Sequence, residues 1–171
     1  MSSLPQGDRC HFDAATGWLM LGDPASALEE LERLTPASRS CREVLELEWG
    51  IHAERADWSA AAAVAGRLVE QAPDQTFGWI HRAYAVRRQA GGGLDQAWVL
   101  LRPALERFPQ NPIVAYNLAC YAAQMNQMEE AWSLFQRALA VALKRAELLA
   151  MALADHDLKP LWPRICSATQ A

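Results

Sequence analysis

No run of about 18 consecutive apolar residues occurs in this 171-residue chain, so no helix long enough to span a bilayer is expected. The start, MSSLPQGDRC, has no charged segment leading into an apolar one, which argues against a secretory signal and for a cytoplasmic protein. The four cysteines, Cys10, Cys41, Cys120 and Cys166, stand far apart with no CxxC pair, so neither a zinc knuckle nor a dithiol redox motif is expected. Isolated thiols of this kind read as reduced and mostly buried. Sustained period-two alternation and Asn-Gly hairpins are also missing, which argues against a sheet. Lysine is scarce: 14 of the 16 basic residues are Arg, a bias that fits carboxylate or phosphate pairing and equally fits codon composition.

What is present is apolar residues, 51% of the chain, with seven tryptophans among them. That is enough for one domain with a real core and argues against disorder. A net charge of −4 predicts neither nucleic-acid binding nor an acidic interaction tail. The charge is unevenly placed: residues 1–60 carry 11 acids and 5 bases, a balance of −6, and residues 61–171 carry 9 acids and 11 bases, a balance of +2.

Four segments align on one alanine each: Ala27, Ala61, Ala97 and Ala131, spaced by 34, 36 and 34 residues. Four positions on stand Leu31, Ala65, Leu101 and Phe135, and three further on Leu34, Leu68, Ala104 and Ala138. Positions i, i+4 and i+7 share one helix face, so each segment is expected to bury these three columns. Four residues before each alanine lies a turn, at Asp23, Asp57, Gly93 and Gln127, where Asp can cap the helix that follows. Pro24 suits a first turn, while Pro73 and Pro109 stop the second and third units and Pro36 can stop the first. An apolar run precedes each turn, so each unit is helix, turn, helix. Helices are expected near 9–21, 24–35, 41–54, 58–72, 77–90, 94–108, 112–124 and 128–143, with a ninth over about 145–154.

A period of 34 residues built from two helices resembles the tetratricopeptide repeat (TPR). The third unit matches that pattern through Trp79, Ala83, Ala97, Leu101, Ala104 and Pro109, with Arg82 where Leu is usual. The fourth matches through Leu118, Ala119, Ala131, Phe135 and Ala138. The second departs from it at Glu48 and Trp49, and the first is degenerate. The resemblance implies an all-α, right-handed α-solenoid: a single domain over 1–171 with repeats at about 9–40, 41–74, 77–110 and 111–143 and a C-terminal cap at 145–165. The ending DLKPLW resembles that of bacterial TPR proteins, and the tail either plugs the last repeat or lies in the groove itself.

RRQAGGGLDQA, from Arg87 to Ala97, poses a choice between a phosphate cradle and a turn. The third unit is two residues longer than its neighbours, and the extra length falls at Ala90–Gly93. No strand precedes it and Leu94 follows it, so it reads as an elongated turn. Arg87 and Arg88 close a helix, where positive charge suits the C-terminal dipole.

Family geometry turns first-helix positions toward a concave groove. These are Phe12, Thr16 and Leu19, then Glu43, Glu46, Gly50 and Ala53, then Phe77, Ile80, Tyr84 and Arg87, and finally Ile113, Tyr116, Cys120 and Ala123. The resemblance thus implies a peptide-binding set of Phe77, Ile80, His81, Tyr84, Arg87, Arg88, Tyr116, Asn117 and Cys120. In this reading Tyr84 and Tyr116 are anchors, and Arg87 with Arg88 and His81 takes a carboxylate. The alternative for the tyrosines is packing between repeats. Trp98 and Trp132, one residue past the repeat alanine, read as core, and Trp18, Trp49 and Trp79, on first helices, as interhelical.

No catalytic constellation emerges. The four histidines are scattered, Cys10 and His11 are helix neighbours that point apart, and Asp155, His156 and Asp157 are expected to be solvated rather than to hold a metal. The expectation is a non-catalytic scaffold, with no cofactor and no metal, that binds a protein or peptide. It is expected to bind no nucleic acid and no membrane, and to be a monomer or weak homodimer. Two alternatives are a chaperone like those of type III secretion and a subunit that contacts partners through its outer face.

Overall fold

The computed structural model describes residues 4–169, and among them all regular structure is helical. The chain divides into two compact units, Met1–Gly92 and Gly93–Ala171. Unit one holds α1 (Gln6–Met20), α2 (Pro24–Glu32), the short α3 (Pro36–Arg39), α4 (Arg42–Glu54), α5 (Trp58–Gln71) and α6 (Thr76–Arg88). Unit two holds α7 (Leu94–Leu101), α8 (Ala104–Arg107), α9 (Pro112–Gln124), α10 (Met128–Val141), α11 (Arg145–Ala154), a 3-10 turn (His156–Leu161) and α12 (Trp162–Thr169). Within unit one α1 packs on α2, α4 on α5, and α5 on α6; within unit two α9 packs on α10, α7 and the 3-10 turn. The division falls inside the AGGG turn, so the two helices of the third repeat belong to different units.

Turn chemistry sets the helix starts. Asp23 accepts from the Ser26 amide and Asp57 from the Ala60 amide, each satisfying an N–H that the helix leaves without an internal partner. Pro24 opens α2 as expected. Ala72 and Phe108, each followed by proline, leave the helical region at φ −135° and −125°, so α5 and α8 end there. Most helix ends lie within three residues of the sequence reading, and two proline sites depart further. The helix expected over 94–108 is broken at Arg102–Pro103, because Pro103 has no N–H to donate and its ring crowds the preceding turn. Pro36 opens a helix rather than merely ending one: it is the first residue of α3, capped by the Thr35 hydroxyl.

All twelve residues of the three repeat columns are buried, from Ala27, Leu31 and Leu34 to Ala131, Phe135 and Ala138. Small residues let helices approach closely. At Gly78 of α6 a Cβ would lie 2.9 Å from the backbone nitrogen of Val69 in α5, so any side chain there would push the two helices apart. The AGGG segment is a turn, and its glycines have steric reasons. Gly93 has φ 141°, and a Cβ on Gly92 would collide with the Val86 carbonyl oxygen.

Unit one also contains a polar clasp that the sequence reading missed. Asp8, buried on α1, accepts from the Thr35 amide at 3.1 Å, from the Thr35 hydroxyl at 2.6 Å and from the Ser38 hydroxyl. These hydrogen bonds hold its carboxyl below the ordinary Asp range.

Three expectations need correction. Trp98 and Trp132 are half-buried rather than core; each carries an arginine, Arg102 at 5.7 Å and Arg164 at 4.7 Å from the ring centroid. A helix face wide enough for the repeat alanine and its i+4 and i+7 partners leaves the next position at its margin, where tryptophan becomes a platform for a cation. Trp18 is exposed rather than held between helices. The thiols are not mostly buried: Cys10 and Cys166 are exposed, Cys41 is intermediate and only Cys120 is buried.

Candidate peptide-binding cleft

Helices α4 and α6 both pack on α5, which brings Trp49 of α4 against the side chains of α6. The His81 ring stacks on Phe77 at 3.7 Å between centroids, and Trp49 meets His81 edge to face at 4.3 Å. Tyr84 lies 6.2 Å from Trp49 and 5.8 Å from Trp58, the first residue of α5. The Arg88 guanidinium rests 3.4 Å from the Tyr84 centroid and donates to the Tyr84 carbonyl at 3.1 Å. Beside this cluster opens a cleft of about 400 Å³, lined by Gly50, Ala53, Glu54, Ile80 and the rings of Trp49, Trp58, His81 and Tyr84.

Its chemistry follows from these neighbours. Burial lowers the His81 pKa from its ordinary value, opposed by its hydrogen bond to the Phe77 carbonyl at 2.9 Å. That bond places the proton of the neutral ring on Nδ1 and leaves Nε2 as an acceptor. The indole Nε1 of Trp49 is buried and has no hydrogen-bond acceptor among the described residues. The cleft is therefore an aromatic and aliphatic wall with an imidazole whose protonation burial disfavours, a guanidinium at one margin and the Glu54 carboxylate at another. Such a surface is suited in shape and polarity to an apolar side chain, and its lining residues pair no nucleophile with a base.

The inner face of α9 is different. Tyr116 and Cys120 are buried beneath the chain's own C-terminal segment. The Tyr116 hydroxyl donates to Asp155 Oδ2 at 2.9 Å, and Cys120 Sγ donates to the same oxygen at 3.5 Å. Gln124 donates to the Asp157 carbonyl at 2.9 Å. Burial first, then Cys120 and the Asp155 carboxylate, push the Tyr116 phenol far above its ordinary value, so it stays a donor. Leu158, Leu161 and Ile165 are buried and lock the segment down.

No protein-family model and no curated protein matches the chain. Solved structures do. TTC0263, a thermophilic TPR protein of Thermus thermophilus, is 20% identical with a TM-score of 0.64; the match covers 96% of this chain and 100% of that one. MamA MSR-1 C2 is 19% identical with a TM-score of 0.63, covering 78% of this chain and 76% of that one. The chain has the tetratricopeptide-repeat fold. In TPR terms α4, α6 and α9 are first helices of repeats, and the longer third unit makes Ile80 equivalent to Tyr116 and Tyr84 equivalent to Cys120.

Of the residues named from the sequence, Phe77, Ile80, His81, Tyr84, Arg87 and Arg88 all lie on α6 in unit one. Ile80, His81 and Tyr84 line the cleft; Phe77 backs it, partly buried against Leu45, Val64 and Leu68. Tyr116, Asn117 and Cys120 lie on α9 in unit two, where Asn117 donates to the Ile113 carbonyl. The sequence reading did not place Trp49 and Trp58 in the site. Trp49 stands where the repeat pattern wants a small residue, and that departure was the available signal. Asp155 was also missed. It sat in a motif read as solvated rather than metal-binding, whereas its side chain turns to Tyr116 and the His156 ring turns toward Trp162, 6.3 Å away.

Proposed function

We propose that this protein is a non-catalytic protein–protein interaction module that holds a peptide or partner helix by an apolar side chain in the α4–α6 cleft. The observation that carries this reading is the cleft itself. Two tryptophans and a tyrosine, residues that supply large contact area at small entropic cost, surround a hollow that no segment of unit one fills. Arg88, held on Tyr84, suits a carboxylate next to the anchor, on the ligand's side chain or its C-terminus.

A displayed peptide library panned on the wild-type chain tests the proposal. Sequences that share an apolar residue near an acidic one are expected to be enriched. Binding is expected to be lost on Ile80→Glu and on Ala53→Arg, with helicity and melting unchanged. Selected peptides that bind both variants as well as wild type would place recognition elsewhere, with the outer face of α7, where Val99 is 68% exposed, the next surface to vary.

A further inference from the structure

The two walls of the α4–α6 cleft end in opposite charges. Glu54 is the last residue of α4 and Arg88 the last residue of α6, and both are exposed. Among the described residues neither forms an ion pair, with the other or with a third group. Arg88 is held elsewhere: its guanidinium lies 3.4 Å from the Tyr84 ring centroid and 5.6 Å from that of Trp58, and it donates to the Tyr84 carbonyl. Aromatic rings thus fix the cation on the α6 side and keep it off the carboxylate on the α4 side.

The position of Glu54 is informative. A negative charge at a helix C-terminus meets the negative end of the helix dipole, so the end of α4 disfavours it, whereas the end of α6 favours Arg88. Of the eight residues that line the cleft, Glu54 is the one with a formal charge at neutral pH, since burial disfavours protonation of His81. Arg55 and Asp57, in the turn that follows, carry opposite charges and line no part of it. A cation brought to this margin gains from the carboxylate, from the helix end and from electron-rich ring faces.

We propose that Glu54 is a specificity residue of the cleft, and that the ligand is a peptide with a basic residue beside its apolar anchor, opposite the acid that Arg88 takes. This rests on the reading of the cleft as a peptide site and adds a charge order to it: acid, apolar, base, from the α6 wall to the α4 wall. A peptide with acids on both flanks sets one against Glu54, and a peptide with bases on both flanks sets one against Arg88. Selection therefore works through repulsion as well as attraction. Because Glu54 is exposed, its share of the affinity is modest and is screened by salt.

The test is to pan one displayed peptide library in parallel on wild type, Glu54→Lys and Ile80→Glu, and then to measure selected peptides, labelled with fluorescein, by anisotropy. Glu54 is exposed, so its variants are expected to match wild type in helicity and melting. Peptides selected on wild type are expected to carry Lys or Arg on one flank of the apolar residue. Glu54→Lys is expected to keep the apolar residue and to select Asp or Glu on that flank. In solution, Glu54→Gln is expected to weaken a selected peptide about two- to fivefold at low salt, and less as salt is raised. The same peptide with its basic residue replaced by Gln is expected to bind both proteins equally, whereas a mere change in the shape of the cleft weakens both peptides alike. Peptides that are lost on Ile80→Glu but show no basic residue, or keep it on Glu54→Lys, would overturn the role of Glu54 and leave the cleft as the binding site. Peptides that bind Ile80→Glu as well as wild type would overturn both.

Discussion

The inner faces of α6 and α9 occupy equivalent places in their repeats and have opposite fates. On α6, Ile80 and Tyr84 border an open aromatic cleft. On α9, Tyr116 and Cys120 are sealed by Asp155 and the 3-10 turn behind it. One repeat position can therefore be an open surface or part of a core, depending on whether a distant segment of the chain returns to cover it. Composition follows fate. The covered face pairs its phenol with a carboxylate, since a buried hydroxyl without a partner is costly. The open face clusters aromatic rings around a cation at its margin.

Core truncation is the strongest way to separate the two faces. Phe135 is fully buried behind Tyr116, with 6.4 Å between ring centroids. Phe135→Ala is expected to cost about 3–5 kcal/mol in urea unfolding. Trp58→Ala, at the half-buried edge of the cleft, is expected to cost clearly less.

Removing one hydroxyl from each face comes next. Tyr116→Phe leaves the half-buried Asp155 carboxylate without its phenolic donor and is expected to cost about 1–3 kcal/mol. Tyr84→Phe is expected to cost less than about 0.5 kcal/mol, since Tyr84 meets its neighbours through the ring face. Equal losses from the two variants would erase the contrast.

A pH effect sharpens it from the other side. The unfolded chain protonates its histidine near pH 6.5, while burial makes folded His81 resist that proton. Stability is therefore expected to fall as pH drops from about 6.5 toward the lower folded value, and then to level off. His81→Gln is expected to flatten that part of the urea-midpoint profile against pH.

The smallest effect is kinetic. In alkylation followed by mass spectrometry, exposed Cys10 and Cys166 are expected to react quickly and Cys120 slowly. Leu158→Ala, which loosens the segment over α9, is expected to speed the labelling of Cys120 selectively.

Much of this architecture was legible in the residues because it rests on local chemistry. The repeat alanines and their i+4 and i+7 partners are buried in all four units. Asp23 and Asp57 cap helices, and Ala72 and Phe108 leave the helix before prolines. Where local rules conflicted, the sequence reading failed: Pro103 sits inside an apolar helical pattern and breaks it. In the candidate site, the α6 residues could be read from repeat register alone. Trp49 and Trp58 could not, because their place in the cleft depends on how α4, α5 and α6 pack against one another.

The helices, the turns between them and the face each helix buries are written in local sequence, since these follow from side-chain spacing and from hydrogen bonds reaching a few residues along the chain. Which inner face stays open is set by long-range packing. That outcome depends on Asp155 meeting Tyr116 and Cys120 across 39 and 35 residues of chain. No periodicity encodes such a meeting, because the entropy of closing so long a loop is offset only by the apolar burial and paired polar groups present once the segment has docked.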